Sequence, residues 1–121
     1  MSALILLVDD EVSVLEKTSR ALREAGYRVN TSMDGEDALE YMRTDRPDLV
    51  VTDNFMPGMN GSQMVAEMSG DSSLRSIPVV MHSSLWVPPP KGMVYWNSPK
   101  SHSSDEEDLL RTVAHVLQNA Y

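Results

Sequence analysis

The chain has 121 residues, 41% of them apolar, which suits one domain with a single core and excludes a disordered chain. Eighteen acids against ten bases leave a net charge of −8, which argues against a nucleic-acid-binding face and favours cationic ligands or basic partner surfaces. There is no cysteine, hence no disulfide frame and no thiolate metal site, and the opening MSALILLVDD lacks the basic start of a signal peptide and the apolar length of a membrane span.

LILLV, residues 4–8, is a short apolar run ending in acids and reads as a strand buried on both faces. A helix follows over about 11–25, with Leu15, Thr18, Leu22 and Ala25 at helical spacing and Gly26 as its terminator. YRVNTS is a second strand. DGEDALEYMRT is a second helix, with Asp34 as N-cap and acids in its first turn. After Pro47, DLVVT is a third buried strand, DNFMPGMNG a loop, and a third helix runs over about 62–68 on Met64, Val65 and Met68. IPVVMH is a fourth strand and MVYW a fifth. The last helix covers about 104–120, with Leu109, Leu110, Val113, Leu117 and Ala120 on one apolar face and four acids in its first turn. The rhythm breaks at SSLWVPPPKG. Three consecutive prolines remove amide donors and oppose a helix there, so at most one turn near 84–86 and then an irregular or polyproline II segment is expected.

This alternation predicts an α/β fold: one doubly wound, five-stranded parallel sheet of flavodoxin-like order, helices on both faces, a degenerate helix between strands four and five, and a single domain over residues 1–121. Ligands on such sheets bind at the carboxyl ends of the strands. Strand one ends in Asp9, Asp10 and Glu11, strand three in Asp53, strand four in Ser83, and strand five runs into Asn97 and Ser98. Carboxylates crowded at one edge repel each other unless a cation neutralises them, and Mg²⁺ with oxygen ligands suits that need. A carboxylate beside such a cation can attack a phosphoryl group.

ILLVDDE, DLVVTDNFMPGMNG and IPVVMHSS together resemble the response-regulator receiver domain of two-component signalling, over essentially the whole chain. The resemblance implies Asp53 as phosphoacceptor, Asp9 and Asp10 as the acidic pocket, and Mg²⁺ held by these acids and the Phe55 main-chain carbonyl. It implies Ser83 as the switch hydroxyl and Tyr95 as the switch aromatic. It also implies a histidine kinase or phosphotransfer protein as donor, an output domain or protein target, a possible homodimer, a cytoplasmic setting and no enzymatic turnover beyond slow loss of the phosphoryl group. One position departs from the pattern. Receivers carry a lysine immediately before the proline of strand five, whereas here Ser98 precedes Pro99 and lysine follows it. Lys100 could substitute by folding back if Ser98–Pro99 turns sharply, as a cis bond would allow; Lys91 is the other candidate, and the third reading is that both lysines are solvated and neither substitutes.

Two other readings stand beside this one. The same fold could serve as a pseudo-receiver, an interaction module indifferent to phosphorylation. A flavin protein fits poorly, because DDE after strand one would repel a flavin phosphate, and an aspartate-nucleophile phosphatase fits poorly, because such enzymes carry a second aspartate two residues after the nucleophile, where Asp9 is followed by Glu11. His82 is expected to pack beside the core, and His102 and His115 to face solvent. Trp86 and Trp96 are expected either to pack over the proline loop or to form a partner patch.

Overall fold

The computed structural model describes residues 2–84, 88–100 and 105–120. Five strands, β1 (Leu4–Val8), β2 (Arg28–Ser32), β3 (Leu49–Thr52), β4 (Val79–Ser83) and β5 (Tyr95–Pro99), form one all-parallel sheet in the order β2-β1-β3-β4-β5. Four helices, α1 (Val12–Glu24), α2 (Gly35–Thr44), α3 (Gly61–Ser69) and α4 (Asp105–Ala120), cover it.

The three inner strands are buried at every position, as strands covered on both faces must be. Successive side chains alternate between two cores. Leu6, Val8, Val50, Val79 and Met81 pack against Leu39 and Met42 of α2 and Met64 and Met68 of α3. Ile5, Leu7, Leu49, Val51 and Val80 pack against Leu15 and Leu22 of α1 and Leu109, Val113 and Val116 of α4. Val116 completes the α4 stripe that the sequence assigned without it. On α1, Ser19 is buried while Ala25, predicted on the inner face, is exposed.

Helix ends follow local chemistry. Asp34 caps α2 by accepting the Asp37 amide at 2.8 Å. Gly26, at φ +100°, ends α1 in the left-handed region that glycine adopts without strain. Asn60 and Gln63 close a capping box at the start of α3: each side chain bonds the other's backbone amide, at 2.8 and 2.9 Å.

The fifth strand differs from its prediction. It begins at Tyr95, not at Met93, and runs on through Ser98 and Pro99, pairing His82 with Ser98 and Ser83 with Pro99. The amides that face β4 are those of alternate residues, ending with Lys100 N bonded to Ser83 O at 3.1 Å. Pro99 falls between them, so its missing N–H lies on the open edge, where a proline is tolerated. Among the described residues of the β4–β5 connection, 88–92 form no helix; the turn expected near 84–86 and the position of Trp86 fall largely outside the described residues.

Leu22 is fully buried between α1 and the sheet. Leu22→Ala is expected to lower unfolding stability by about 2–5 kcal/mol in urea denaturation, against about 0.5 kcal/mol or less for the exposed Val12→Ala.

Candidate functional site

The strand order reverses direction of growth between β1 and β3, and a crevice at the carboxyl ends of those two strands is where such a sheet binds ligands. Val8 and Thr52 form the last paired rung there. The next residues are Asp9 and Asp53. Their amides carry the ladder one step further, Asp9 N to Ser32 O and Asp53 N to Val8 O, both at 3.0 Å. Two carboxylates are thereby fixed side by side by main-chain bonds.

Asp9 and Asp53 are only 2% and 8% exposed, and Asp10 is half-buried beside them. Ligand oxygens of all three lie within 4.8 Å of one another. Each of the two buried carboxylates divides its oxygens in the same way. Asp9 Oδ1 accepts from Glu11 N at 3.0 Å and Asp53 Oδ1 from Asn54 N at 2.8 Å. The two Oδ2 atoms face one ammonium, Lys100 Nζ, at 3.0 Å from Asp9 and 3.4 Å from Asp53. Burial by itself pulls the Lys100 pKa down, but its bond to Asp9 and the charges of Asp9 and Asp53 outweigh this and hold it above its ordinary value. Because the folded value is the higher one, the stabilisation from this ammonium is fully present at neutral pH and is lost only as pH rises above about 10.5.

The sequence left Lys100 and Lys91 as alternatives. Lys91 is exposed and takes part in none of the ion pairs among the described residues. The route that Lys100 takes also differs from expectation. The Ser98–Pro99 bond is trans and lies in extended strand, so the chain does not fold back. It continues straight past β5 by one more ladder bond. Side chains alternate faces along a strand, so a lysine two residues beyond Ser98 leaves on the same side of the sheet, one pleat nearer the carboxyl edge. A lysine at position 99 would leave on the other side.

Other predicted residues are placed as follows. Ser83 ends β4 and is buried. Ser98 is 1% exposed and its hydroxyl has no hydrogen-bond partner, so it bonds neither carboxylate. Phe55 follows Asp53 by two residues and is exposed. Tyr95 is not at the pocket. It pairs with Val79 at the far end of β4, four rungs back and roughly 13 Å along the strand at about 3.3 Å per residue. It packs against the α2/α3 core, and burial pushes its phenol up to about 12. His82 is buried, His115 is exposed, and His102 lies outside the described residues. Trp96 is 40% exposed with its ring edge-on to His115, centroids 4.9 Å apart.

Two supporting residues escaped the sequence reading. Asn54 holds the start of α3 against the Asp53 loop, accepting from Ser62 N at 2.9 Å and Ser62 Oγ at 2.6 Å, while its carbonyl accepts Gly61 N. Gly61 packs so closely on that loop that a Cβ would lie 2.4 Å from Asp53 O. The N-x-x-Q spacing at Asn60 marks this helix start, but nothing local signals the close approach of Gly61. A recess lined by Ser2, Arg28, Asp45, Arg46, Asp48 and Leu117 opens at the opposite edge of the sheet. Its arginines already bond the carbonyls of Ser2 and Ser73, and Asp48 bonds Leu4 N, so it offers little to a charged ligand.

Gly61→Ala is expected to destabilise by about 1–3 kcal/mol through overpacking against the Asp53 main chain. Ser98→Ala removes a buried hydroxyl that bonds nothing, and denaturation should show stability unchanged or raised, by at most about 1–3 kcal/mol.

Residues 5–86 match the response regulator receiver domain family. Protein PilH of Pseudomonas aeruginosa is 31% identical over 122 residues, covering 95% of this chain and 98% of PilH. The response regulator PleD of Caulobacter vibrioides is 39% identical over 85 residues, which are 70% of this chain and 19% of PleD. Among solved structures, the chemotaxis response regulator CheY4 of Vibrio cholerae superposes with a TM-score of 0.82 at 31% identity, covering 96% of this chain and 99% of that one. A family match over most of the sheet, full-length likeness to PilH and CheY4, and the acidic crevice at the β1/β3 switch point together establish that the chain belongs to the response-regulator receiver domain family, the phosphoacceptor modules of two-component signalling.

Proposed function

We propose that Asp53 is the phosphoacceptor and that Lys100 is the cation that pairs with the phosphoryl group. The observation that carries this reading is the single ammonium held 3.0 and 3.4 Å from Asp9 and Asp53 at the carboxyl ends of β1 and β3. In the transfer, an Asp53 carboxylate oxygen attacks the phosphorus of a phosphohistidine on a kinase or phosphotransfer protein. The O–P bond forms as the N–P bond breaks, and the imidazole leaves with the electron pair.

The aspartyl phosphate places about two negative charges beside Asp9 and Asp10, so the pocket needs positive charge. Asp9, Asp10 and Asp53 offer oxygen donors only, close together and with Asp10 open to water, a set that fits Mg²⁺. The Phe55 carbonyl is a further donor by resemblance to the family. When bound, Mg²⁺ would neutralise charge on the reacting oxygens. Lys100 supplies the second positive charge and a charge-assisted bond, which a serine hydroxyl cannot. Ser83 and Tyr95 are proposed to relay the change, Ser83 from the end of β4 and Tyr95 from the α2/α3 side of β5. The chain would act as a cytoplasmic signalling module without enzymatic turnover, and as one domain across residues 1–121. The pseudo-receiver reading draws on two departures, Ser98 and the proline loop; the Lys100 ammonium beside Asp9 and Asp53 speaks against the first, and the loop remains its motive.

Incubation with Mg²⁺ and acetyl phosphate should add one phosphoryl group to the intact mass, and Asp53→Asn should abolish the gain. A wild-type protein that gains nothing overturns the reading. Lys100→Ala should slow phosphorylation about 10–100-fold, the loss of a charged hydrogen bond of about 1.5–3 kcal/mol in the transition state. Lys91→Ala should leave the rate unchanged.

A further inference from the structure

We propose that His82 is a positioning residue for Lys100, acting through the main-chain carbonyl of Ser98. The proposal rests on the reading that Lys100 pairs with the phosphoryl group.

His82 is a polar ring in the otherwise apolar run of β4 before Ser83, and it is 6% exposed. Packing alone would be served by a leucine or a valine there. Its Nδ1 lies 3.0 Å from Ser98 O. A carbonyl only accepts, so Nδ1 carries the proton and donates. This bond lands two residues before Lys100 in an edge strand that has a neighbour on one side only.

The segment needs such support because of its composition. The ladder holds Lys100 itself through one bond, from its amide to Ser83 O. Pro99 turns its nitrogen to the open edge and so neither adds nor removes a bond to β4, and the Ser98 hydroxyl bonds nothing. The Ser98 carbonyl is therefore the point at which a side chain can fix the height and tilt of the strand end. Lysine has four flexible side-chain bonds, so its ammonium is only as well placed as its Cα. With the lysine two residues further along than the receiver pattern has it, the strand must stay extended and paired through Pro99 for the ammonium to reach Asp9 and Asp53. The last two residues of β4 do this work together: His82 clamps Ser98, and Ser83 receives Lys100.

The test is a double-mutant cycle. His82→Leu is made in the wild-type and in the Lys100→Ala chain, with Mg²⁺, acetyl phosphate and intact mass as the rate assay and circular dichroism as the check of folding. In the wild type, His82→Leu should slow phosphorylation about tenfold, a share of the loss in Lys100→Ala; in the Lys100→Ala chain it should change nothing, since coupled residues are non-additive. His82→Asn, whose Nδ2 stands where the histidine Nδ1 stands, should recover most of the rate. Independently of phosphorylation, brief acetic anhydride labelling followed by peptide mass mapping should find Lys100 protected relative to Lys91 in the wild type and in His82→Asn, and labelled in His82→Leu. If His82→Leu does not fold, His82→Val takes its place in every arm.

Equal slowing by His82→Leu in both backgrounds, or Lys100 still protected in a folded leucine variant, overturns the proposal and leaves the role of Lys100 standing. A Lys100→Ala chain phosphorylated at the wild-type rate instead overturns the role of Lys100, and with it the proposal.

Discussion

Carboxylates brought together at one edge of a sheet need positive charge, and this structure depends on how that need is met. Asp9 and Asp53 are buried, adjacent and fixed by main-chain bonds, and each presents one oxygen to the same ammonium. Two buried acids without a counterion would have to take up protons or move apart. Lys100 satisfies both from a single side chain and ties the end of β5 to the ends of β1 and β3. The sheet order that makes β1 and β3 neighbours, the close approach of Gly61 beneath Asp53 and the trans, extended Ser98–Pro99 unit all converge on that contact.

The departure at positions 98–100 has a simple physical basis. A strand side chain returns to the same face every second residue, so moving the lysine by two positions preserves its side of the sheet and shifts it by one pleat. The proline between Ser98 and Lys100 is harmless because its nitrogen faces the open edge. The change does leave the lysine beyond the last residue of the strand, where fewer ladder bonds hold it. The bonds to Ser98 and Lys100 from His82 and Ser83 lie at that weak point. The family match ends at residue 86, so this altered segment lies beyond the part of the chain that follows the family pattern most closely.

The β4–β5 connection is the second departure. Residues 88–92 carry no helix, as three prolines dictate. Tyr95 nevertheless keeps its place against the α2/α3 core, and Trp96 stands on the other face of β5, half exposed beside His115 of α4. β5 thus offers one aromatic to the core and one to the surface, by the alternation that also directs Lys100.

Much of this was legible in the sequence. Short continuous apolar runs gave the sheet, the 3.6-residue period gave all four helices, and acids at the ends of LILLV and LVVT gave the pocket, because local composition decides whether a segment can be buried and on how many sides. The helix starts at Asp34 and Asn60 follow from side chains within three residues of their targets. What the sequence could not decide was which lysine reaches the pocket, since Lys91 and Lys100 are equally charged and flexible as residues. That choice depends on how far β5 stays paired to β4, which is a property of the sheet. The same holds for Gly61, whose lack of a side chain matters only because Asp53 O lies where its Cβ would be, and for His82, which reads as one more core position until Ser98 O is seen 3.0 Å away. Contacts set by periodicity or by near neighbours are written in the chain; these contacts, between residues 8 to 91 positions apart, exist only once the strands and the loops between them have been set in place.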